Sequence, residues 1–355
     1  MLPPPSGRNS APARRQAGEG PSDLWVSSAP LRISLAGGGT DVPSYADRFG
    51  GAVLGAAISL RVTVVGRPRA AAAGIRACLD SHGTGFSHDH AANPFVAEAL
   101  RRHWDGGPLD LVSFGDTPTG SGLGSSAAFS LALVAGLHPG RLPPAELARA
   151  GSDLETRGLG RPVGGQDHYL SALGGFHLLR FHPGGRVEAE EVPVSAGFAR
   201  RLGADLLLFF TGTTRDAGTV LAAQDHRTRS GDAATEGGLH GIKELVPLAV
   251  RALRAEDSPA VGEVLFRHWE LKRALSPRIS SAPIDRAYAD ALAAGATGGK
   301  LMGAGGGGFL LLHAGPGART AVRAAMRAHG FREYDFAFSP RGVEVASVPS
   351  PAPSG

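Results

Sequence analysis

The chain has 355 residues, 42% hydrophobic and 19% charged, with a formal net charge of +4. That apolar content supports a sizeable core, and the length exceeds what one core usually holds, so two domains are expected. No segment approaches the roughly 18 consecutive apolar residues of a membrane helix, and basic residues are interspersed with acidic ones, so neither a membrane nor a nucleic-acid partner is expected.

Residues 1–23 are rich in Pro, Gly, Ala, Ser and Arg with no apolar signal segment, and read as a disordered tail. The span Pro30–Ala36 alternates like a strand and breaks at Gly37-Gly38-Gly39. Val53–Val65 is again β-like. The single cysteine, Cys78, excludes an intrachain disulfide framework, and the cytoplasm is the simplest address. His82, His88 and His90 lie near it but match no standard zinc spacing, so a polar loop is expected there. Phe95–Trp104 has helical spacing, and Leu109–Phe114 is a short strand entering a glycine-rich loop. An apolar helix runs from Ser125 to about Leu137, and another from Ala145 to Arg157. Phe176–Phe181 and Leu206–Phe210 read as buried strands; Pro183–Ala196 between them is a hairpin or a domain joint. Helices follow at about Ala217–Arg229, Gly241–Ala255, Pro259–Leu275 and Pro283–Ala294. The end comprises a glycine loop, a strand Phe309–His313, a helix Ala318–His329, a strand Gly342–Val348 and a second disordered tail, 349–355. Strands mixed with helices in both halves indicate an α/β (α+β) protein.

Three glycine-rich loops carry the chemistry. The central one, residues 116–128, suits phosphate: glycines allow close backbone approach, and the following helix offers unpaired amides and its positive dipole end. Ser125 or Ser126 can cap that helix or ligate a cation through its hydroxyl. No Gly-Lys-Ser/Thr follows, so it is not a Walker A loop. The third loop, 300–309, contains GxGxxG at Gly303, Gly305 and Gly308 but leads into a strand, against a Rossmann reading. In the first loop, 31–41, Thr40 and Asp41 either grip vicinal sugar hydroxyls or cap the next turn.

Taken in this order, the three loops resemble the signature motifs of the GHMP kinases, from about Ala29 to Val348. Within that superfamily the strings at 29–43, 164–169, 210–215 and 268–276 are most similar to heptose 7-phosphate kinases. The resemblance implies an N-terminal α/β domain (24–195) with the phosphate loop and the catalytic Asp, and a C-terminal ferredoxin-like α+β domain (196–348). It implies ATP and Mg2+ as cofactors, and phosphorylation of the anomeric hydroxyl of D-glycero-D-manno-heptose 7-phosphate to the 1,7-bisphosphate. Another sugar acceptor, fucose- or galactose-like, and a silent sugar- or ATP-binding regulator are the alternatives; the protein is expected to be a monomer or homodimer.

By the same resemblance Asp167 is the catalytic carboxylate, with Arg32 beside the transferring phosphate. Pro118, Gly120, Ser121, Gly122, Leu123, Gly124, Ser125 and Ser126 bind ATP, together with Gly303, Gly305 and Gly306. Ser126 and Glu155 hold the metal. Gly38, Gly39, Thr40, Asp41, Gln166 and Arg215 bind the acceptor. Lys272 and Arg278 join Arg215 as candidates for the sugar 7-phosphate on sign alone.

Overall fold

The computed structural model describes residues 24–69, 74–80, 86–87, 93–104, 107–138, 140–161, 163–214 and 217–348. The two tails, the three histidines near Cys78 and Arg215 lie outside the described residues. No described helix is long and apolar enough to cross a membrane.

In chain order the strands are β1 (Leu24–Ala36), β2 (Gly51–Pro68), β3 (Ile75–Asp80), β4 (Phe86–Ser87), β5 (Leu109–Gly115), β6 (Phe176–Phe181), β7 (Val187–Glu191), β8 (Leu206–Phe210), β9 (Gly298–Leu301), β10 (Phe309–His313), β11 (Arg332–Tyr334) and β12 (Glu344–Val348). The helices are α1 (Pro43–Phe49), α2 (Pro94–His103), α3 (Ser125–Leu137), α4 (Pro144–Asp153), α5 (Gln166–Leu173), α6 (Ala196–Asp205), α7 (Ala217–Arg229), α8 (Ala233–Arg254), α9 (Ser258–Ala274), α10 (Ala282–Ala293) and α11 (Arg319–Ala328). An eight-stranded sheet runs β12-β1-β2-β5-β3-β4, with β6 also pairing β2 and carrying β7. A separate antiparallel sheet has the order β11-β8-β10-β9.

Pro183–Ala196 is therefore a hairpin arm: a short 3-10 turn joins β6 to β7. The last strand does not stay with the second sheet. β12 pairs antiparallel with β1, Leu24 opposite Val348, so the unit expected at 196–348 contributes an edge strand to the first sheet. Helix α3 is apolar all round and packs against β1, β2, α2, α4 and α5, which is why it is buried on nearly every face. The second sheet packs Phe209, Leu310 and Leu312 against Trp269 and Tyr288, whose rings lie 5.9 Å apart. Where β8 begins and β10 ends, a buried tie forms: Ser258 donates to Asp205 Oδ2 (2.6 Å), lies 2.9 Å from His313 Nε2, and Asp205 also pairs with Arg319.

Two irregularities position functional side chains. The β1–β2 register shifts between Pro30 and Arg32 and again between Ser34 and Ala36. Such bulges re-aim side chains, and here the Arg32 amide leaves the ladder to donate to Leu123 O (3.0 Å) in the central loop. Helix α4 ends in a π-helical turn, Leu154–Gly158, which carries Glu155 inward.

Candidate active site

The central loop meets the third loop back to back. Gly122 has φ +90°, and a Cβ there would sit 2.6 Å from Met302 O and 3.2 Å from Gly303 N. Only glycine permits that approach. The contact is fixed further by Phe309 N donating to Ser121 O (2.9 Å). Beyond it α3 begins, with Gly124 rather than a serine at its N-cap and no side-chain capping bond. The expected serine cap is thus corrected: Ser125 Oγ turns back to accept from Gly120 N (3.3 Å). With no side-chain cap, the first amides of α3 are left to an anion.

Arg32 and Asp167 stand beside this helix start. Arg32 Nε donates to Asp167 Oδ1 at 2.7 Å and Nη1 to Gly122 O at 2.6 Å. The arginine side chain is 4% exposed and the aspartate 26%, so the carboxylate is the open side of the pair. A Cβ on Gly124 would lie 3.4 Å from Asp167 Cβ, so acid and phosphate loop are in contact.

Behind Asp167, Asp41 organises the loop that carries it. Its Oδ1 accepts from Gly39 N (3.1 Å) and Gln166 Nε2 (2.8 Å), and its Oδ2 from Gln166 N (3.1 Å). A Cβ on Gly164, two positions before Gln166, would fall 1.9 Å from Asp41 Oδ2, so only glycine fits there, while one on Gly165, directly before the Gln-Asp pair, would lie 3.0 Å from the Phe181 ring. Burial, with the Asp167 charge adding, pushes the Asp41 carboxyl up to about 6. Thr40 is a correction. It is fully buried, its single hydroxyl hydrogen is shared between Gly37 O (2.8 Å) and Ala52 O (3.0 Å) while the oxygen accepts from Ala52 N, and it holds the loop's shape rather than facing the cavity.

Glu155 is 1% exposed. Ser126 Oγ donates to its Oε1 (3.2 Å), Arg161 Nη1 lies 2.8 Å from the same oxygen, and His168 Nε2 lies 3.3 Å from Oε2. A hydroxyl and a carboxylate in contact beside the uncapped start of α3 are the oxygen donors a hard divalent cation takes, and Arg161 now supplies the positive charge there.

Most of these residues border one cavity of about 750 Å³, lined by Arg32, Asp41, Gly122, Gly124–Ser126 and Asp167 among others; Glu155 does not line it and touches it only through Ser126 and Arg161. Gly38, Gly39, Gly120, Gln166 and Gly303 also line it. Pro118, Ser121, Leu123, Gly305 and Gly306 do not line it: Leu123 and Ser121 are buried in the packing, and Gly306 N donates to Ile279 O (2.8 Å). Arg278 is exposed and off the cavity.

Several lining residues carried too little signal in the sequence to be singled out. Val62, Leu79, Phe95, Phe114 and Phe129 form an apolar wall with Asn93 and Ser113 as polar neighbours. They come from separate strands and helices, so no local spacing links them. His268 and Lys300 line the cavity with Ser34, next to Lys272, which the sequence had already offered as a candidate for the sugar 7-phosphate. Burial and the Arg32 charge bring the Lys272 ammonium down to about 7. Burial, then Lys272 and Arg32, hold Lys300 well below the usual lysine value, and burial with both lysines depresses His268.

Comparison with known proteins agrees with this geometry. The family model for the GHMP kinases N terminal domain matches residues 90–175, and that for the GHMP kinases C terminal matches 249–331. D-glycero-alpha-D-manno-heptose 7-phosphate kinase of Campylobacter jejuni is 29% identical over 335 residues, covering 89% of this chain and 96% of that protein. Mevalonate kinase of Methanothermobacter thermautotrophicus is 25% identical over 307 residues, 84% and 93% of the two chains. Among solved structures, a D-glycero-D-manno-heptose 1-phosphate kinase from Bacteroides thetaiotaomicron superposes with TM-score 0.73 at 23% identity, over 92% of this chain and all of that one. The Leishmania major mevalonate kinase gives 0.68 at 17% identity, over 91% and 97%. Two family models in order along one chain, near-full-length relatives and a shared two-domain fold identify this chain as a GHMP kinase, an ATP-dependent phosphotransferase with a hydroxyl acceptor.

Proposed function

We propose that the chain transfers the γ-phosphoryl group of ATP to the anomeric hydroxyl of D-glycero-D-manno-heptose 7-phosphate, giving the 1,7-bisphosphate. The observation that carries the phosphotransfer is the 2.7 Å Arg32–Asp167 pair set against the uncapped start of α3 inside one cavity. The choice of acceptor is supported by the near-full-length likeness to the Campylobacter heptose 7-phosphate kinase.

In this reading the apolar wall holds the adenine, and the triphosphate runs along Gly120–Ser126 toward the α3 amides. Asp167 accepts or orients the proton of the attacking hydroxyl, and its acceptor capacity depends on having one oxygen free of Arg32. Arg32 places a fixed charge on the equatorial oxygens as the bond to the leaving oxygen loosens. Ser126 and Glu155 would hold Mg2+, which neutralises phosphate charge when bound, with Arg161 moving aside. Asp41, through Gln166, sets the angle at which Asp167 enters; Gln166 Oε1 is buried without a partner and is available to an acceptor hydroxyl.

The test is an ATP-consumption assay with Mg2+ over free sugars and sugar phosphates, including heptose 7-phosphate, fucose and galactose. Turnover confined to heptose 7-phosphate is the expected result. Turnover with fucose or galactose alone refutes the acceptor assignment, and none with any hydroxyl acceptor refutes the catalytic reading.

A further inference from the structure

The whole chain has only three lysines, Lys243, Lys272 and Lys300, and two of them are buried in this cavity. Neither of these two forms an ion pair with a carboxylate among the described residues; their contacts are neutral. Lys272 Nζ donates to Leu301 O (2.9 Å) and Gly303 O (2.6 Å). Lys300 Nζ donates to Ser34 Oγ (3.3 Å) and lies 3.3 Å from His268 Nδ1. An ammonium has three N–H groups, so each lysine keeps one beyond these two contacts. Together they bridge the first glycine loop, through Ser34, to the third, through Gly303, whose backbone lies against Gly122.

Two cations buried next to Arg32 are costly unless an anion joins them. The nearby acids are already engaged: Asp167 by Arg32, and Asp41 by the Gly39 amide and Gln166. No nearby acid is left to balance them, so a bound anion is what would hold both as ammonium ions. We propose that Lys272 and Lys300 form a second phosphoryl-binding site, between the first and third glycine loops, that holds a phosphate dianion of the bound substrates. This rests on the kinase reading above but not on which sugar is the acceptor. The dianion has two possible sources, the group being transferred or a phosphate already on the acceptor, and kinetics separates them.

Lys272→Gln and Lys300→Gln should each lose 10- to 150-fold, the range of a charge-assisted hydrogen bond. If the dianion belongs to the acceptor, the loss is in KM for the sugar phosphate and is absent for the unphosphorylated sugar. If it is the transferred group, kcat falls alike for every acceptor. Arginine at either position should restore part of the loss, which a purely structural role would not predict. Independently of the variants, reductive methylation of the wild-type chain with mass mapping follows each lysine. Inorganic phosphate at millimolar concentration should protect Lys272 and Lys300 and leave Lys243 unchanged. No protection of either lysine by phosphate or by ATP overturns the proposal, as do folded glutamine variants whose constants all stay within twofold of wild type. Absence of turnover with any sugar would defeat the kinase reading instead, while the protection experiment would still report on the lysines.

Discussion

Replacing Asp167 by asparagine removes one charge and little volume, so its consequences separate into chemistry and stability. On the chemical side the variant keeps the α3 amides and the apolar wall, and ATP binding should survive. Loss of a general base or of an in-line orienting carboxylate costs 10²- to 10⁴-fold in kcat, about 3–5.5 kcal/mol of barrier. On the stability side, Arg32 is 4% exposed and loses the one carboxylate it pairs with among the described residues. Stripping a buried charge of its partner costs about 3–5 kcal/mol. The effect here should be smaller, about 1–3 kcal/mol, because the Asn amide oxygen can still accept the Arg32 Nε–H and Gly122 O still accepts from Nη1. Asp167→Ala, which leaves no acceptor, should destabilise more than Asp167→Asn while matching it in kcat. Single-turnover kinetics with ATP titration, and urea unfolding of both variants, measure the two parts. Asparagine at 167 with kcat within a few-fold of wild type would refute the role assigned to the carboxylate. A removed Asp167 charge should also let the Asp41 carboxyl fall from about 6, since that charge helps raise it.

Gly122→Ala must hold a positive φ and place a methyl 2.6 Å from Met302 O; it should cost about 1–2 kcal/mol from conformation alone and raise KM for ATP at least tenfold. Gly120→Ala, also at positive φ but with nothing within 4 Å, should be milder in the same assay. Glu155→Gln should raise the Mg2+ concentration needed for half-maximal rate roughly tenfold or more while leaving nucleotide binding without metal unchanged, as a Mg2+ titration at fixed ATP would show. For pH, Lys272 titrates near 7 in the fold against 10.5 for a free lysine. Between those values the unfolded chain binds more protons, so apo stability rises with pH, by up to about 1.4 kcal/mol per unit from this group. Asp41 acts with the opposite sign between 3.8 and about 6, where the fold holds the proton and stability falls as pH rises. Urea midpoints across pH should show both slopes, and Lys272→Met should flatten the upper one. Asp205→Asn should lose about 2–4 kcal/mol by opening the tie to Ser258 and Arg319, with kcat per folded molecule unchanged in an active-site-titrated assay.

Much of the site was legible because its parts are local strings. The glycines at 120–124 and 303, the Gln166-Asp167 pair and Asp41 each declare a loop by composition, and α3 begins at Ser125 as its apolar run predicts. What local reading could not supply is direction. Thr40 and Asp41 are neighbours with similar polar side chains, yet one is sealed against Ala52 and the other lines the cavity. Only the pairing of β1 with β2 decides between them. Leu123, Gly305 and Gly306 sit inside phosphate-loop strings but face the packing, because two loops meeting back to back must spend some residues on each other. Lys300 was passed over for a related reason. One lysine ahead of a glycine loop looks like a solvated charge, and its meaning appears only when α9 brings His268 and Lys272 alongside. The start of α8 was also read too late: Ala233–His240 holds two glycines and a histidine, and its helix is sustained by an Asp232 cap and contact with α7.

The pairing of Leu24 with Val348 has a consequence for how the polypeptide is made. The strand that begins the fold waits at the ribosome for a neighbour synthesised more than 300 residues later, so one flank of the larger sheet stays bare through most of translation. That flank is where a chaperone would be needed. It is also where joining Val348 to Leu24 with a short linker and cutting the chain elsewhere, in a surface loop, should yield a working permuted enzyme.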